Sequence, residues 1–505
     1  MLISKRIFTS WYSTSTKFLY FSVIGVSFFL RLYHIGSHDL WYDEVCSYFI
    51  ADKSWQSGFP SLYYVILHYW IKLFGVSELV LRLPSLVFSV SSVVLVYILG
   101  KNLFNNEKVG LYSAIFMGFS PFQLWYAQEA RSYSMVCFLG LLSSYVLYRV
   151  LVENKKGSVV IFILLSILGI YTNYFYVFLF LSQYGFSLWF KRMTGDFMKT
   201  TFVMTAILFF VFFSPGLIKD FFTILGGDLP WILEPNWSRI IITIENFMIG
   251  YNGNHILYFV SDILAAVFFL AAITSIRGRS FKISYFYCLF LFLGPILCAF
   301  FFSKAFSPVY LDRGLIIASP FFYLILAQGA ASLPKIIKTG LVGMLISLFI
   351  LTTYRYFNNF MPVSLIHHLG VTQKKPFKPA VKFIKSEIKS DDIIAFTHCS
   401  AISSFGFYYK KSPLFYFFDP DIKDTRDNKN QRPYSLMADY QVYIPLNKIN
   451  SFKTKRIWIF FSDWLRSPSL DDANSQAVKK WCDKNIKLEF VRDFDGLLLY
   501  KYVPP

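Results

Sequence analysis

Charge is scarce in this 505-residue chain: Asp, Glu, Lys and Arg make up 16% of it, against about 25% in an ordinary soluble domain. With 55% of residues hydrophobic and 20% aromatic, that shortage excludes a soluble globular protein. Acid is scarcer than base, 30 residues against 49, for a formal charge of +19. The surplus does not point to nucleic acid, because it is spread over short loops and a tail. Residues 357–505 hold 23 of the Lys and Arg and 15 of the acids, a net +8, which leaves +11 for residues 1–356. Cysteine is rare. The six residues Cys46, Cys137, Cys288, Cys298, Cys399 and Cys482 show no zinc-like spacing, so no metal is indicated. Cys399 and Cys482 share the tail; they either pair in an oxidising compartment or remain buried thiols. There is no glycine-rich nucleotide loop, internal repeat or low-complexity tract. One sequon, Asn236-Trp237-Ser238, matters only in a host that glycosylates proteins.

Long apolar runs are what the chain has in quantity. Windows of about 20 residues give eleven spans, near 18–36, 79–100, 109–125, 130–148, 157–172, 173–190, 200–218, 257–276, 283–303, 314–333 and 339–356. Alternate loops are basic: Lys5, Arg6 and Lys17; Lys101 and Lys108; Arg149, Lys155 and Lys156; Lys191, Arg192 and Lys199; Arg277, Arg279 and Lys282; Lys335 and Lys338. Basic loops stay cytoplasmic. The N-terminus is therefore expected inside and residues 357–505 outside, in a multi-pass plasma (inner) membrane protein. The first span lacks a small-residue cleavage site and reads as a retained anchor.

The sequence changes character at Lys374-Lys375-Pro376. Residues 378–389 and 471–484 suit helices; 392–396, 455–461, 487–492 and 497–502 suit strands, the last two flanking a strong hairpin signal at Asp495-Gly496. The expected organisation is a membrane domain over 1–356, with a long outer loop at 37–78, and a small extracytoplasmic α/β domain over 357–505.

Three polar clusters fall on the outer side. The first loop carries Asp43 and Glu44 at the lip of a span, where charge is costly and marks either a solvated functional site or an ion pair to a neighbouring helix. It also holds two short interfacial helices, 43–51 and 61–74, the second with Leu62, Ile66, Tyr69, Trp70 and Leu73 at helical spacing. The second cluster runs from Ser120 to Tyr133 and includes Glu129 and Arg131, which serve either a functional site or a structural salt bridge that ties the loop down. The third is Tyr310-Leu311-Asp312-Arg313-Gly314, preceded by Lys304. Carboxylates with isolated cations suit transfer of a group carried on a lipid phosphate. A phosphate leaves readily once its charge is neutralised, so one base plus Arg or Lys suffices, whereas a glycosidic oxygen needs a carboxyl pair.

Residues Leu40-Trp41-Tyr42-Asp43-Glu44, Pro60-Ser61-Leu62-Tyr63-Tyr64, Leu73-Phe74-Gly75, Glu78 to Ser85, and Ser120-Pro121-Phe122 with Trp125 to Tyr133 occur in that order. On them the chain resembles the glycosyltransferase C superfamily, in the branch of protein O-mannosyltransferases and the lipid A aminoarabinose transferase. The resemblance is dense over 31–150, fair to 333 and only architectural beyond. It implies an inverting glycosyltransferase that uses a polyprenyl-phosphate sugar as donor substrate and an extracytoplasmic envelope acceptor (glycan, lipid or protein); no cofactor is certain, and a divalent metal is left open without being indicated. Asp43 would supply the catalytic carboxylate of the acid pair, with Glu44 beside it turned toward a cation. Glu129 and Arg131 would belong to the outer cavity, together with Tyr63 and Tyr133, and Arg313 would meet the donor phosphate. Two departures stand out. Phe59-Pro60-Ser61 lacks the basic residue that relatives place before two prolines, which shifts that burden to Arg313, Arg131 or Lys304. Arg313-Gly314 stands where relatives often have Arg-Tyr. The alternative classes are a transporter or flippase of lipid-linked saccharides, which would carry charge near the bilayer midplane, and a ligase with its key residues in a later outer loop. The loop at 219–256 has Asp220, Asp228, Glu234 and Arg239 but no comparable motif.

Overall fold

The computed structural model describes residues 14–53, 61–153, 157–190, 202, 205–206, 232–276, 278–361, 367, 370–397, 399–410, 415–419, 441–445, 452–462 and 470–505. The chain divides into two compact units. One comprises 1–34, 61–63 and 82–362; the other comprises 35–60, 64–81 and 363–505. Most of residues 37–78 thus group with the tail.

The first unit is helical. Among the described residues six helices are long and apolar enough to cross a membrane: Glu78–Phe104, Tyr133–Val152, His255–Thr274, Lys282–Ala305, Gly314–Ser332 and Lys335–Phe357. Phe18–Leu32 and Ser158–Thr172 are shorter apolar helices. The expected span at 200–218 lies outside the described residues except 202, 205 and 206. Burial ranks the spans: the Gly314–Ser332 window is 94% buried and forms the centre, whereas Lys335–Phe357 is 28% buried and lies at the periphery. The centre packs tightly because a Cβ at Gly329 would collide with the backbone of Phe268; small residues let membrane helices approach to backbone contact.

Local chemistry interrupts one expected span and sets the boundary between two others. The run at 109–125 forms Glu107–Phe119 and then Pro121–Ala127, because Ser120 caps the second helix through its side chain and Pro121 takes the first helical position, which suits proline. The two spans at 157–190 separate at Asn173, whose Oδ1 accepts the Phe175 N–H (3.0 Å) while its amide donates to Ser132 Oγ (3.1 Å). Inside the unit, Arg31 is fully buried. It donates to Ser89 Oγ (2.9 Å), Ser27 Oγ (2.5 Å) and the carbonyls of Ser27, Met117 and Gly118, so this charge is a structural tie between helices.

The second unit contains the short helix Tyr42–Lys53, most of Leu62–Phe74 and an α/β layer. In Leu62–Phe74, Leu67 and Ile71 point inward while Tyr69, Leu73 and Phe74 are exposed, so an apolar face is left outward. The sheet order is β3-β2-β1-β4-β6-β5, with β1 Ile393–Phe396, β2 Phe415–Asp419, β3 Gln441–Pro445, β4 Ile457–Ser462, β5 Lys487–Phe494 and β6 Leu497–Val503. Strands β1 to β4 are mutually parallel, β6 runs antiparallel to β4, and β5 antiparallel to β6. Alternate residues of a strand face opposite sides. Ile394, Phe396, Trp458 and Phe460 accordingly meet the helices Phe377–Glu387 and Cys399–Tyr409. Ile393, Ala395, Ile457 and Ile459 meet Val478 and Cys482 of the helix Leu470–Asn485. The hairpin turn forms at Asp495 and Gly496, both with positive φ (49° and 84°), as a primed turn requires. Cys482 is a buried free thiol.

Candidate functional site

In the second unit the acid pair opens the helix Tyr42–Lys53, where carboxylates are favoured by the helix dipole. The two neighbours differ in surroundings. Asp43 is half-buried, whereas Glu44 is fully buried, with its Oε2 4.0 Å from Lys374 Nζ. Glu44 also reaches back to the Trp41 N–H (3.4 Å), the reciprocal arm of a capping box. The chain leading into this turn is clamped. Asp39 Oδ2 accepts the Lys378 N–H at 2.7 Å, and Lys378 Nζ lies 3.5 Å from Asp39 and 2.5 Å from Glu78. Tyr408 OH accepts the Leu40 N–H at 2.7 Å and donates to Glu78 at 2.8 Å. Burial raises the Asp39 carboxyl above its usual range, with Lys378 opposing the shift. Burial also pushes the Tyr408 phenol up, so it remains a donor.

In the membrane unit Arg131, Tyr133 and Arg313 come together. The Arg131 guanidinium lies 5.6 Å and that of Arg313 5.9 Å from the centre of the Tyr133 ring, within cation–π range. Both arginines are half-buried. Glu129 lies two residues before Arg131 and is buried, its Oε1 accepting Trp125 Nε1–H at 2.7 Å. Tyr63 is fully buried and its hydroxyl meets Ser85 Oγ (3.0 Å), which donates to the Arg131 carbonyl (3.1 Å). Tyr63 therefore braces the Arg131 backbone. Lys304 forms an exposed ion pair with Glu234 at 2.5 Å.

Asp312, beside Arg313 in the third polar cluster, is a residue to which the sequence assigns no role of its own. It is 1% exposed and accepts from Arg239 (3.1 Å), Thr243 (2.6 Å) and Asn246 (2.9 Å). These donors satisfy a buried carboxylate and fix the turn that presents Arg313. The signal was an Asp-Arg pair at a span entrance, with Arg239 as an unassigned cation in the preceding loop. Among the described residues no three of His, Cys, Asp and Glu could hold a metal ion.

Two guanidiniums 5.6 and 5.9 Å from one ring centre can neutralise an oxyanion, and a half-exposed carboxylate at a helix start can take a proton. Residues 59–218 match the family model described as dolichyl-phosphate-mannose-protein mannosyltransferase. The fold is similar to that of ArnT from Cupriavidus metallidurans in the apo state, 11% identical, TM-score 0.58, over 98% of this chain and 100% of that one. It is also similar to ArnT from the same organism bound to undecaprenyl phosphate, 11% identical, TM-score 0.60, with the same coverage. No curated protein matches the sequence.

Proposed function

We propose that the chain is a membrane glycosyltransferase of the glycosyltransferase C superfamily that moves a sugar from a polyprenyl-phosphate donor to an extracytoplasmic acceptor with inversion, a reading supported by the family-model match over residues 59–218 and the likeness of fold. The observation that carries this reading is the pair of guanidiniums gathered on Tyr133. A cation pair suits a donor whose leaving group is a phosphate, and ArnT with undecaprenyl phosphate is a likeness in the same direction.

Asp43 takes the proton of the acceptor hydroxyl as its oxygen attacks the anomeric carbon. The bond from that carbon to the phosphate oxygen breaks on the opposite face, and the electron pair leaves with the polyprenyl phosphate. Arg131 and Arg313 offset the charge that grows on that phosphate, the form of stabilisation that favours the transition state over the bound donor. Glu44, buried against Lys374, keeps the helix start in shape and takes no proton. The donor tail lies among the apolar spans. The charge pattern of the loops supports a cytoplasmic N-terminus and an extracytoplasmic second unit in a plasma (inner) membrane.

The test is transfer by the purified protein from synthetic polyprenyl-phosphate sugars, paired with Asp43→Asn. Transfer that Asp43→Asn abolishes supports the reading; transfer that survives it moves the base elsewhere, with Glu129 first.

A further inference from the structure

Asp43 sits in a stretch of six residues, Asp39 to Glu44, that the C-terminal domain grips at three points within one compact unit. Before Asp43, Lys378 holds Asp39 and Tyr408 holds the Leu40 N–H. After it, Lys374 faces Glu44. The first two grips meet again at Glu78, which accepts from both Lys378 and Tyr408. The Lys374-Lys375-Pro376 stretch that opens the domain is therefore more than a charged linker. Lys374 and Lys375 are both buried, and Lys375 Nζ donates to the Gly496 carbonyl at 2.6 Å, which anchors this stretch to the hairpin of the sheet.

We infer that Lys374 is a positioning residue for Asp43: its buried ammonium balances the buried Glu44 carboxylate, and Glu44 closes the first turn of the helix that carries Asp43. The inference rests on the assignment of Asp43 as base. Glu44 has no exposure and Lys374 retains 4%. A charge so placed must be compensated, and removing one partner of a buried pair is far more damaging than removing both. At 4.0 Å the coupling is ionic and longer than a hydrogen bond. Loss of the ammonium would force Glu44 to take up a proton or to turn outward. Either change loosens its hold on the Trp41 N–H and frees the turn in which Asp43 lies. The C-terminal domain then acts in catalysis by fixing the base.

The experiment uses the full-length protein in lipid nanodiscs as wild type, Asp43→Asn, Lys374→Met, Lys374→Arg and Lys374→Met/Glu44→Gln. Three quantities are read: hydrogen exchange over residues 42–53, binding of undecaprenyl phosphate, and the cellular amount of the envelope product that the Asp43→Asn strain lacks. Lys374→Met should speed exchange in the first turn and cut product by about 10²-fold, the scale of a reacting group displaced by about 1 Å, while undecaprenyl phosphate still binds. Lys374→Arg should keep most product. The double variant should regain both slow exchange and product relative to Lys374→Met, which a residue needed only for bulk folding would not produce. Unchanged exchange and product in Lys374→Met, or a double variant no better than the single, overturns the inference. If Lys374→Met does not accumulate, Lys374→Arg and the double variant decide: accumulation of both with product supports it, and failure of the double overturns it. If Asp43→Asn leaves the envelope unchanged, the base assignment itself has failed. Exchange over 42–53 would still report whether Lys374 holds the turn, so the two failures are distinguishable.

Discussion

Replacing Arg313 by Ala removes one of two guanidiniums from the Tyr133 ring and leaves the neighbouring Asp312 with its own donors Arg239, Thr243 and Asn246. The turn should therefore stay folded, and the loss should fall on the phosphate. A hydrogen bond to a charged group contributes about 1.5–3 kcal/mol, which corresponds to roughly 10- to 100-fold in affinity. Binding of undecaprenyl phosphate to the purified protein, by calorimetry in nanodiscs, should weaken by that factor. Transfer should fall at least as much, because the charge on the leaving phosphate is greater in the transition state than in the donor. Arg313→Lys should recover only part of the loss, since it supplies charge without the planar fork. Combined with Arg131→Ala, the two losses should be non-additive, with an interaction of about 0.5–3 kcal/mol for residues that share a partner. Normal binding and transfer in Arg313→Ala, with Arg131→Ala defective in both, would refute the shared site and leave the phosphate to the Glu129–Arg131 loop.

Sidedness can be read by labelling single cysteines with an impermeant reagent: Ser37→Cys and Lys429→Cys should react in intact cells, Lys155→Cys and Arg279→Cys should not, and the reverse pattern would invert the topology. In the C-terminal domain, Asp392 accepts from Arg456 (2.8 and 2.5 Å), Trp458 (2.8 Å) and the Lys389 N–H (3.0 Å). Burial acts to raise its pKa, but the Arg456 and Trp458 hydrogen bonds outweigh that and lower it. A carboxyl with a depressed folded-state pKa stabilises fully above the ordinary carboxylate range, and the contribution is lost as pH falls through the lower folded-state value. Asp392→Ala should cost about 2 kcal/mol at neutral pH, discounted for the partial exposure of Arg456. Its stability, measured by pulse proteolysis, should also be flatter with pH below about 4 than that of wild type. An equal acid slope in both proteins would contradict the assignment.

Much of the tail was legible because its signals are local. The strand Ile393–Phe396 and the helices Phe377–Glu387 and Leu470–Asn485 form close to where periodicity places them. Asp495-Gly496 makes the turn it announces, with two positive φ angles. Strands β2 and β3 and the helix Cys399–Tyr409 were missed. Phe415–Asp419 is an aromatic run without the period-two alternation that marks a strand in sequence, and Gln441–Pro445 is short and ends in proline. The break of one expected span at Ser120-Pro121 was written in a cap followed by proline, but hydropathy windows average over it. In the site, Arg131 and Arg313 were both visible as isolated cations; their meeting on Tyr133 was not, because that contact joins residues far apart in sequence. The Lys374 and Lys378 tethers were hidden for the same reason. Lysines in a polar tail read as solvated, and only the fold buries Lys374 against Glu44. The charges of the 219–256 loop that carried no motif are now placed in part, Arg239 on Asp312 and Glu234 on Lys304.

If Asp43 is the base of a phosphate-leaving sugar transfer, its carboxylate matters to turnover and not to binding of the lipid phosphate. The most direct measurement is the turnover of purified Asp43→Asn with a polyprenyl-phosphate sugar, at saturating donor and acceptor, beside its binding of undecaprenyl phosphate. A positioned base contributes about 10²–10⁴-fold in rate, so turnover should fall by that factor while the lipid phosphate binds as in wild type. Turnover close to that of wild type, or a larger loss in Glu44→Gln than in Asp43→Asn, would contradict the account.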